Sequence, residues 1–315
     1  VLNEASSIKP FLNTLFEQTC PPDEIIVVDG GSTDVTMNLL SQYTDHSLHI
    51  IQEAGANISR GRNIAISAAR YPLIACTDAG TRLDADWLAN LTSPFLSPRP
   101  PDVVCGFFVA DPHTVLEMAM GATVLPTWSD INPANFLPSS RSVAFTKTAW
   151  EQVGGYPEWL DYCEDIVFDL KLRQAGLIFA YAPAATAHFR PRSNLLAYFK
   201  QYHRYARGDG KAGLWRKRHA IRYLTYSVSP LLLLGGFWHN WLWALLAAAS
   251  LAYCWGPYRR LGRWLAGIPW WMKIEAVAMV PVIRLVGDVA KMTGYPFGIW
   301  WRRNNSPPVW ERHGS

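Results

Sequence analysis

An α/β domain on a mostly parallel sheet, followed by apolar helices at the C-terminal end, is the architecture the sequence predicts. Three observations carry it. Short β-rich apolar runs alternate with helical patterns through the first two-thirds of the chain, an order that places helices on the faces of a parallel sheet. Asp29 and Asp78 each end such a run and are followed by small residues, at the strand end where open α/β sheets bind ligands. The last third concentrates Trp, Leu and Ala behind a basic cluster.

Taken in order, Ser7 can cap a helix whose apolar positions Ile8, Phe11, Leu12 and Leu15 follow helical spacing, with Pro10 tolerated in its first turn. Residues 24–29 suit a strand buried on both faces. A second helix runs through Leu39 and Leu40, and residues 48–52 supply the next strand. A helix over about residues 59–70 leads into the apolar run 73–76 and then Thr77-Asp78-Ala79-Gly80. The stretch 83–88, with Asp84, Asp86 and Trp87, reads as a helix start with acids in its first turn. There follow a strand at 103–109, a helix near 113–120, a Pro/Asn/Ser-rich loop over 126–140 suited to covering a site, a strand at 142–146 and a short helix at 150–153. Gly154-Gly155-Tyr156-Pro157 closes that helix, and another begins at Asp161, where Glu164 can complete a capping box. Residues 178–188 alternate as a strand and end in His188-Phe189-Arg190.

The 315 residues carry a net charge of only +4, and no long basic helix points to nucleic acid. Positive charge is instead local, from Lys200 and Arg204 through Arg207, Lys211 and Arg216 to Arg222. Five cysteines without metal-type pairing fit reduced thiols. The chain starts at Val1, and a sheet protein beginning there is expected to lack its first strand. Gly30 and Gly31 let a ligand approach the backbone beside Asp29; a plain strand-to-helix turn capped by Ser32 or Asp34 is the structural alternative. Arg60 and Arg62 at a helix start oppose the helix dipole, a conflict relieved either by a bound anion such as a diphosphate or by surface acids. Glu164 and Asp165, adjacent in a first turn, point different ways, so a capping role for one leaves the other unexplained.

Six stretches resemble, in order, the family-2 inverting glycosyltransferases with the GT-A fold, whose sheet is Rossmann-like. They are Asn3-Glu4, residues 27–34, Arg60-Gly61-Arg62-Asn63, Thr77-Asp78 with Asp86-Trp87-Leu88, Gly154-Gly155-Tyr156 leading to Glu164-Asp165, and Gln201-Tyr202-His203-Arg204-Tyr205. The resemblance covers residues 1–214 and implies a hexosyltransferase-like enzyme using a nucleotide-diphosphate sugar. It implies that Glu4 and Asp29 hold the base and ribose, that Arg60 lies near the diphosphate, and that Asp78 meets the ribose or a metal-diphosphate group. Asp165, beside Glu164, matches the general base that deprotonates an acceptor hydroxyl. Gln201, Arg204 and Tyr205 resemble a Gln-x-x-Arg-Trp element, with Tyr in the Trp place. The family's Asp-x-Asp is here Asp78-Ala79-Gly80, so a Mg or Mn ion would rest on Asp78 and the diphosphate, with His188 as a further ligand. The missing acid also motivates a catalytically inactive scaffold or sugar-nucleotide sensor. A nucleotidyltransferase would want a Gly-rich basic loop early in the chain, and residues 3–10 lack one.

Residues 215–315 read as a membrane region. Residues 223–238 and 241–255 carry no charge and are expected as transmembrane helices, and flanking basic residues place both their ends in the cytoplasm. Residues 270–301 are expected as an amphipathic interfacial helix or a third span, since Arg284, Asp288 and Lys291 share one face. The expected setting is the inner face of the plasma membrane, with a glycan or lipid-linked acceptor.

Overall fold

The computed structural model describes residues 1–43 and 48–310. They form two compact units, one of residues 1–109, 128–189 and the stretch from Pro308, the other of residues 110–127 and 190–307. The chain does not part at residue 214, because helices from both sides of that position share the second unit.

In the first unit α1 (Ile8–Phe16) buries Ile8, Phe11, Leu12 and Leu15, the apolar positions at helical spacing. β1 (Ile25–Asp29) pairs in parallel with β2 (Leu48–Gln52), Asp29 opposite Gln52, and α2 (Thr36–Leu40) lies between them in sequence. α3 (Ile58–Ala68) is capped by Asn57, whose side chain accepts from the Arg60 N–H. β3 (Leu73–Cys76), β4 (Thr81–Leu83), α4 (Trp87–Thr92) and β5 (Val103–Ala110) come next. α5 (Val115–Val124) belongs to the second unit. β6 (Val143–Thr146), α6 (Lys147–Gln152), α7 (Glu164–Gln174) and β7 (Phe179–Phe189) complete the first.

Five strands form the second sheet in the order β3-β6-β5-β7-β4. The parallel expectation holds for β1 and β2, whereas the registers of β3 with β6, β5 with β6 and β4 with β7 are antiparallel. β4 was legible only as the approach to a helix. At three residues it is too short to show an alternation, and it exists because Arg82 pairs with His188 and Thr81 with Phe189. The helix start expected at Leu83 therefore falls at Trp87, with Asp86 before it and no acid in its first turn. The N-cap position of α7 is not Asp161 either. The residue preceding α7 is Cys163, in the left-handed region at φ 65°.

The core of this unit fixes the strand ends. Trp87 is fully buried, and its indole N–H donates to Ser142 Oγ at 2.8 Å, which in turn donates to the Ala185 carbonyl at 2.8 Å. An indole N–H so satisfied lets α4 bury its largest side chain against the sheet without an orphaned donor.

The second unit comprises α5 with α8 (Leu195–Ala212), α9 (Arg216–Gly235), α10 (Trp241–Leu261) and α11 (Trp270–Asn305). α9 and α10 are separate helices around the expected turn. Among the described residues no helix is long and apolar enough to cross a membrane, which corrects the expected spans at 223–238 and 241–255 and the option of a span at 270–301. The apolar runs fall short because α9 begins with Arg216, Lys217, Arg218 and Arg222, α10 dilutes its leucines with Trp, Ala, Ser and Tyr before Pro257 and Arg259, and α11 carries Lys273, Glu275, Arg284, Asp288 and Lys291.

The charged face of α11 turns inward. Asp288 is buried, accepting from Arg222 Nε at 2.8 Å, Tyr226 Oη at 3.1 Å and Tyr253 Oη at 2.5 Å. Val282, Leu285 and Val289 on the same helix are exposed instead. Burial of Lys291 lowers its pKa to about 8. The helix thus buries Ala276, Val280, Ile283 and Ala290 together with Asp288, and exposes Lys273 and Glu275 as well as Val282, Leu285 and Val289.

Candidate active site

Asp29 ends β1 with its carboxylate turned onto the following loop. It accepts the N–H groups of Gly31 and Ser32 at 3.0 Å each, and the Ser32 hydroxyl. Burial opposes its ionisation, but those hydrogen bonds prevail and hold the carboxyl below its usual range. Asn3 and Glu4 are stitched to the same loop: Asn3 Oδ1 accepts from Thr33 N at 2.9 Å, and Glu4 N donates to Thr36 Oγ1 at 2.8 Å. The Glu4 carboxylate accepts from Ser7 Oγ, and its carbonyl receives the first N–H groups of α1. Of the two expected nucleotide-binding acids, Asp29 shapes the loop with its carboxylate, whereas the Glu4 carboxylate turns to Ser7.

The second expected stretch, Arg60 to Asn63, divides its work residue by residue. Arg60 is half-exposed and pairs with Glu53 at 2.5 Å. Gly61 backs onto Val28 of β1. Arg62 points into the fold, where its guanidinium donates to Asp78 Oδ1 and to Glu164 Oε1, each at 2.7 Å, with the Tyr156 ring 5.3 Å away. Asn63 pins the Gly154-Gly155-Tyr156 turn: its amide donates to the Tyr156 carbonyl at 2.9 Å and its oxygen accepts from Tyr156 N at 2.9 Å. A Cβ on Gly155 would lie 2.7 Å from that oxygen, at a φ of +67°, so the turn requires glycine. The charge conflict at the start of α3 is thus relieved by the protein's own carboxylates.

Asp78 follows β3, in a tight turn where its carbonyl accepts from Thr81 N and Oγ1. Its carboxylate faces Arg62 and, at 3.6 Å, Arg141 Nε. Arg141 stacks over Phe189 at 4.3 Å. Burial alone would raise the Asp78 pKa, but the two guanidinium groups lower it. Arg141 sits in an otherwise unremarked Ser-Arg-Ser stretch of the long loop, and only the fold brings it to Asp78.

Glu164 is buried and Asp165 half-buried at the start of α7. Burial first, then the neighbouring Asp165 charge, push the Glu164 pKa up to about 7 against the pull of Arg62. Asp165 Oδ1 accepts from Ile166 N at 2.9 Å. One turn on, buried Asp169 has its pKa raised by desolvation and by the neighbouring Asp165 charge. The structure therefore joins Asp78, Arg62 and Glu164 in one ion-paired line, with Asp165 beside its acidic end.

The remaining candidates lie elsewhere. His188 Nε2 is 2.7 Å from Asp84 Oδ1, a partner not foreseen. Among the described residues no three His, Cys, Asp or Glu side chains stand together as a metal site. Asp78 already faces guanidinium groups, and Gly80 offers no donor. A Cβ at Gly80 would meet nothing within 4 Å, so neither space nor backbone demands glycine there. The donor set present does not fit a protein-built divalent site. Gln201, Arg204 and Tyr205 lie on α8 in the second unit, where the Gln201 amide donates to Tyr205 Oη at 2.7 Å.

Residues 73–283 match the glycosyl transferase family group 2, and residues 1–141 match glycosyl transferase family 2. An O-antigen chain rhamnosyltransferase of Salmonella typhimurium is 28% identical over 212 residues, covering 62% of this chain and 67% of its own. A mannosyltransferase from Pyrobaculum calidifontis, solved with GDP-Man and Mn2+, superposes with a TM-score of 0.56 at 20% identity, over 97% of this chain and 85% of its own. S. aureus TarS 1-349 with UDP-GlcNAc gives a TM-score of 0.51 at 15% identity, over 96% and 90%. These two likenesses extend the GT-A-like α/β fold to the chain.

The ion-paired line generates two expectations. Arg62→Met leaves Glu164 and Asp78 without their shared cation, and we expect it to destabilise the protein by about 3 kcal/mol, seen as a lower urea midpoint. Glu164 is harder to ionise in the folded chain than its ordinary value of 4.5 implies. Its favourable contribution is complete below pH 4.5 and is lost as pH rises through about 7. The urea midpoint of the wild type should fall across that window, and Glu164→Gln should flatten the fall. An equally steep fall in the variant would overturn the assignment.

Proposed function

We propose a donor, an acceptor class and a base for this chain, which belongs to the glycosyl transferase family group 2 and is a glycosyltransferase. The donor is a nucleotide-diphosphate sugar, of hexose or deoxyhexose type, and the acceptor is a hydroxyl of a cell-envelope glycan, free or lipid-linked. The observation that carries this reading is the line from Asp78 through Arg62 to Glu164, which ties the end of β3 to the start of α7. Asp78 and the Asp29 loop mark the nucleotide side of that line, and Asp165 marks the acceptor side. The relatives support the sugar class: one is named a rhamnosyltransferase and the other a mannosyltransferase.

The chemistry follows from that placement. The acceptor oxygen attacks the anomeric carbon from the face opposite the diphosphate, so the configuration inverts. As the new C–O bond forms, the bond to the diphosphate oxygen breaks and takes its electron pair with it. Asp165 takes up the proton of the acceptor hydroxyl. Charge growing on the leaving diphosphate is met by Arg141, whose Nε stands 3.6 Å from Asp78, while Arg62 is shared between Asp78 and Glu164.

Asp165→Asn should lower turnover by about 10²–10⁴-fold while calorimetry shows unchanged binding of the sugar nucleotide it accepts from a GDP-, UDP- and dTDP-sugar panel, with Mn2+ or with EDTA. Undiminished turnover would remove Asp165 as base. A folded protein that bound none of the panel under either condition would remove the donor assignment.

The second unit is proposed to lie on the inner face of the plasma membrane. Trp270, Trp271, Ile274 and Leu285 of α11, and Trp238 and Trp241 at the turn between α9 and α10, are exposed, while the charged face of α11 is buried. Exposed apolar area of that extent suits a helix lying in the lipid interface rather than one crossing it. We expect the wild type to float with phosphatidylcholine vesicles and the double variant Trp270→Glu, Leu285→Glu to remain in the aqueous fraction. Equal flotation of the two would count against this face.

A further inference from the structure

Cys163, a buried residue with a Cβ, is held in the left-handed region at φ 65° and ψ 17°, immediately before Glu164 and Asp165. That conformation is unfavourable for any residue but glycine, so the surrounding contacts have to impose it. They come from α3, which grips the chain on both sides of Cys163.

Ahead of it, the Asn57 amide donates to the Glu158 carbonyl at 2.6 Å, and the Asn63 amide to Glu158 Oε1 at 2.9 Å. The fully buried Ser59 hydroxyl donates to the Leu160 carbonyl at 3.1 Å. Beyond it, Arg62 holds Glu164 at 2.7 Å. Ser59 and Arg62 stand one turn apart on α3. Leu160 and Glu164 are thus drawn to neighbouring points of one helix, and residues 161–163 alone close the path between them. A left-handed residue at 163 turns the chain tightly enough to do so and still start α7, whose Val167 N–H donates to the Cys163 carbonyl at 3.1 Å. Successive side chains on a helix diverge by about 100°. Seating Glu164 on Arg62 therefore turns Asp165 off that face, where it is half-buried.

We propose that Cys163 is a positioning residue whose backbone conformation, not its thiol, aims Glu164 at Arg62 and Asp165 at the acceptor. That Asp165 meets an acceptor rests on the proposed transfer chemistry; the seating of Glu164 does not. The two are therefore measured separately.

Three variants, each checked by circular dichroism, separate conformation from side chain. Cys163→Gly keeps the left-handed backbone, Cys163→Val opposes it, and Ser59→Ala releases Leu160. The first readout needs no substrate. Arg62 from α3, and Asp165 and Asp169 on its own helix, face Glu164, and the fall in urea midpoint from pH 4.5 to about 7 reports its seat. That fall should persist in Cys163→Gly and flatten in Cys163→Val and Ser59→Ala. The second readout is nucleoside diphosphate released from GDP-mannose, UDP-GlcNAc or dTDP-rhamnose. Cys163→Val should lower it about 10²-fold at unchanged donor affinity, and Cys163→Gly should restore it. Added to Asp165→Asn, Cys163→Val should cost nothing further, because it acts through Asp165. An unchanged pH profile in Cys163→Val, or one as flat in Cys163→Gly, overturns the proposal. If Cys163→Val fails to fold, Cys163→Gly and Ser59→Ala decide it by the same profile. Turnover undiminished in Asp165→Asn, with the profile flattened in Cys163→Val, removes Asp165 as base and leaves the joint at Cys163 standing.

Discussion

The guanidinium of Arg62, shared between Asp78 and Glu164, is the contact on which the first unit's chemistry depends. Without it, carboxylates from the end of β3 and the start of α7 would bring like charges into a poorly solvated region. With it, Asp78 is held ionised and Glu164 is drawn down only as far as about 7. Asn63, the next residue, holds the glycine turn that precedes α7. Two adjacent side chains on α3 thus fix both the electrostatics and the chain path of the candidate site.

Position 80 changes how charge is handled there. A second acid would give Asp78 a partner for a divalent ion, and there is room for one. Instead Asp78 faces two guanidinium groups, one of them supplied by Arg141 from the long loop and steadied by the Phe189 ring. Arginine is ionised at any working pH and presents its donors in a fixed planar fork.

The second unit buries a polar network among its apolar contacts. Asp288 with its Arg222, Tyr226 and Tyr253 partners lies inside, and His219 stacks on Tyr295 at 3.7 Å while its Nε2 stands 3.1 Å from Asp209. Hydrogen-bonded networks of this kind specify one packing of helices where apolar contacts alone would allow several. The aliphatic and indole surface left outside then remains available to an apolar phase.

Local pattern was enough for the elements that bury a regular face. The spacing of Ile8, Phe11, Leu12 and Leu15 marked α1, and the apolar runs ending at Asp29 and Cys76 marked β1 and β3, because helices and buried strands write their periods into neighbouring residues. The motif order likewise marked a glycosyltransferase as the family. What adjacency does not encode was left to the fold. β4 arose from pairing with β7, Arg141 and Asp84 gained their partners from distant strands and loops, and Arg62 rather than Arg60 became the buried cation. The apolar run at the C-terminal end showed that hydrophobic surface exists, and only packing decided which side of each helix faces protein. Periodicity is a property of neighbours in the chain, whereas ion pairing and the direction a helix face points are set by residues far apart in sequence that only folding brings together.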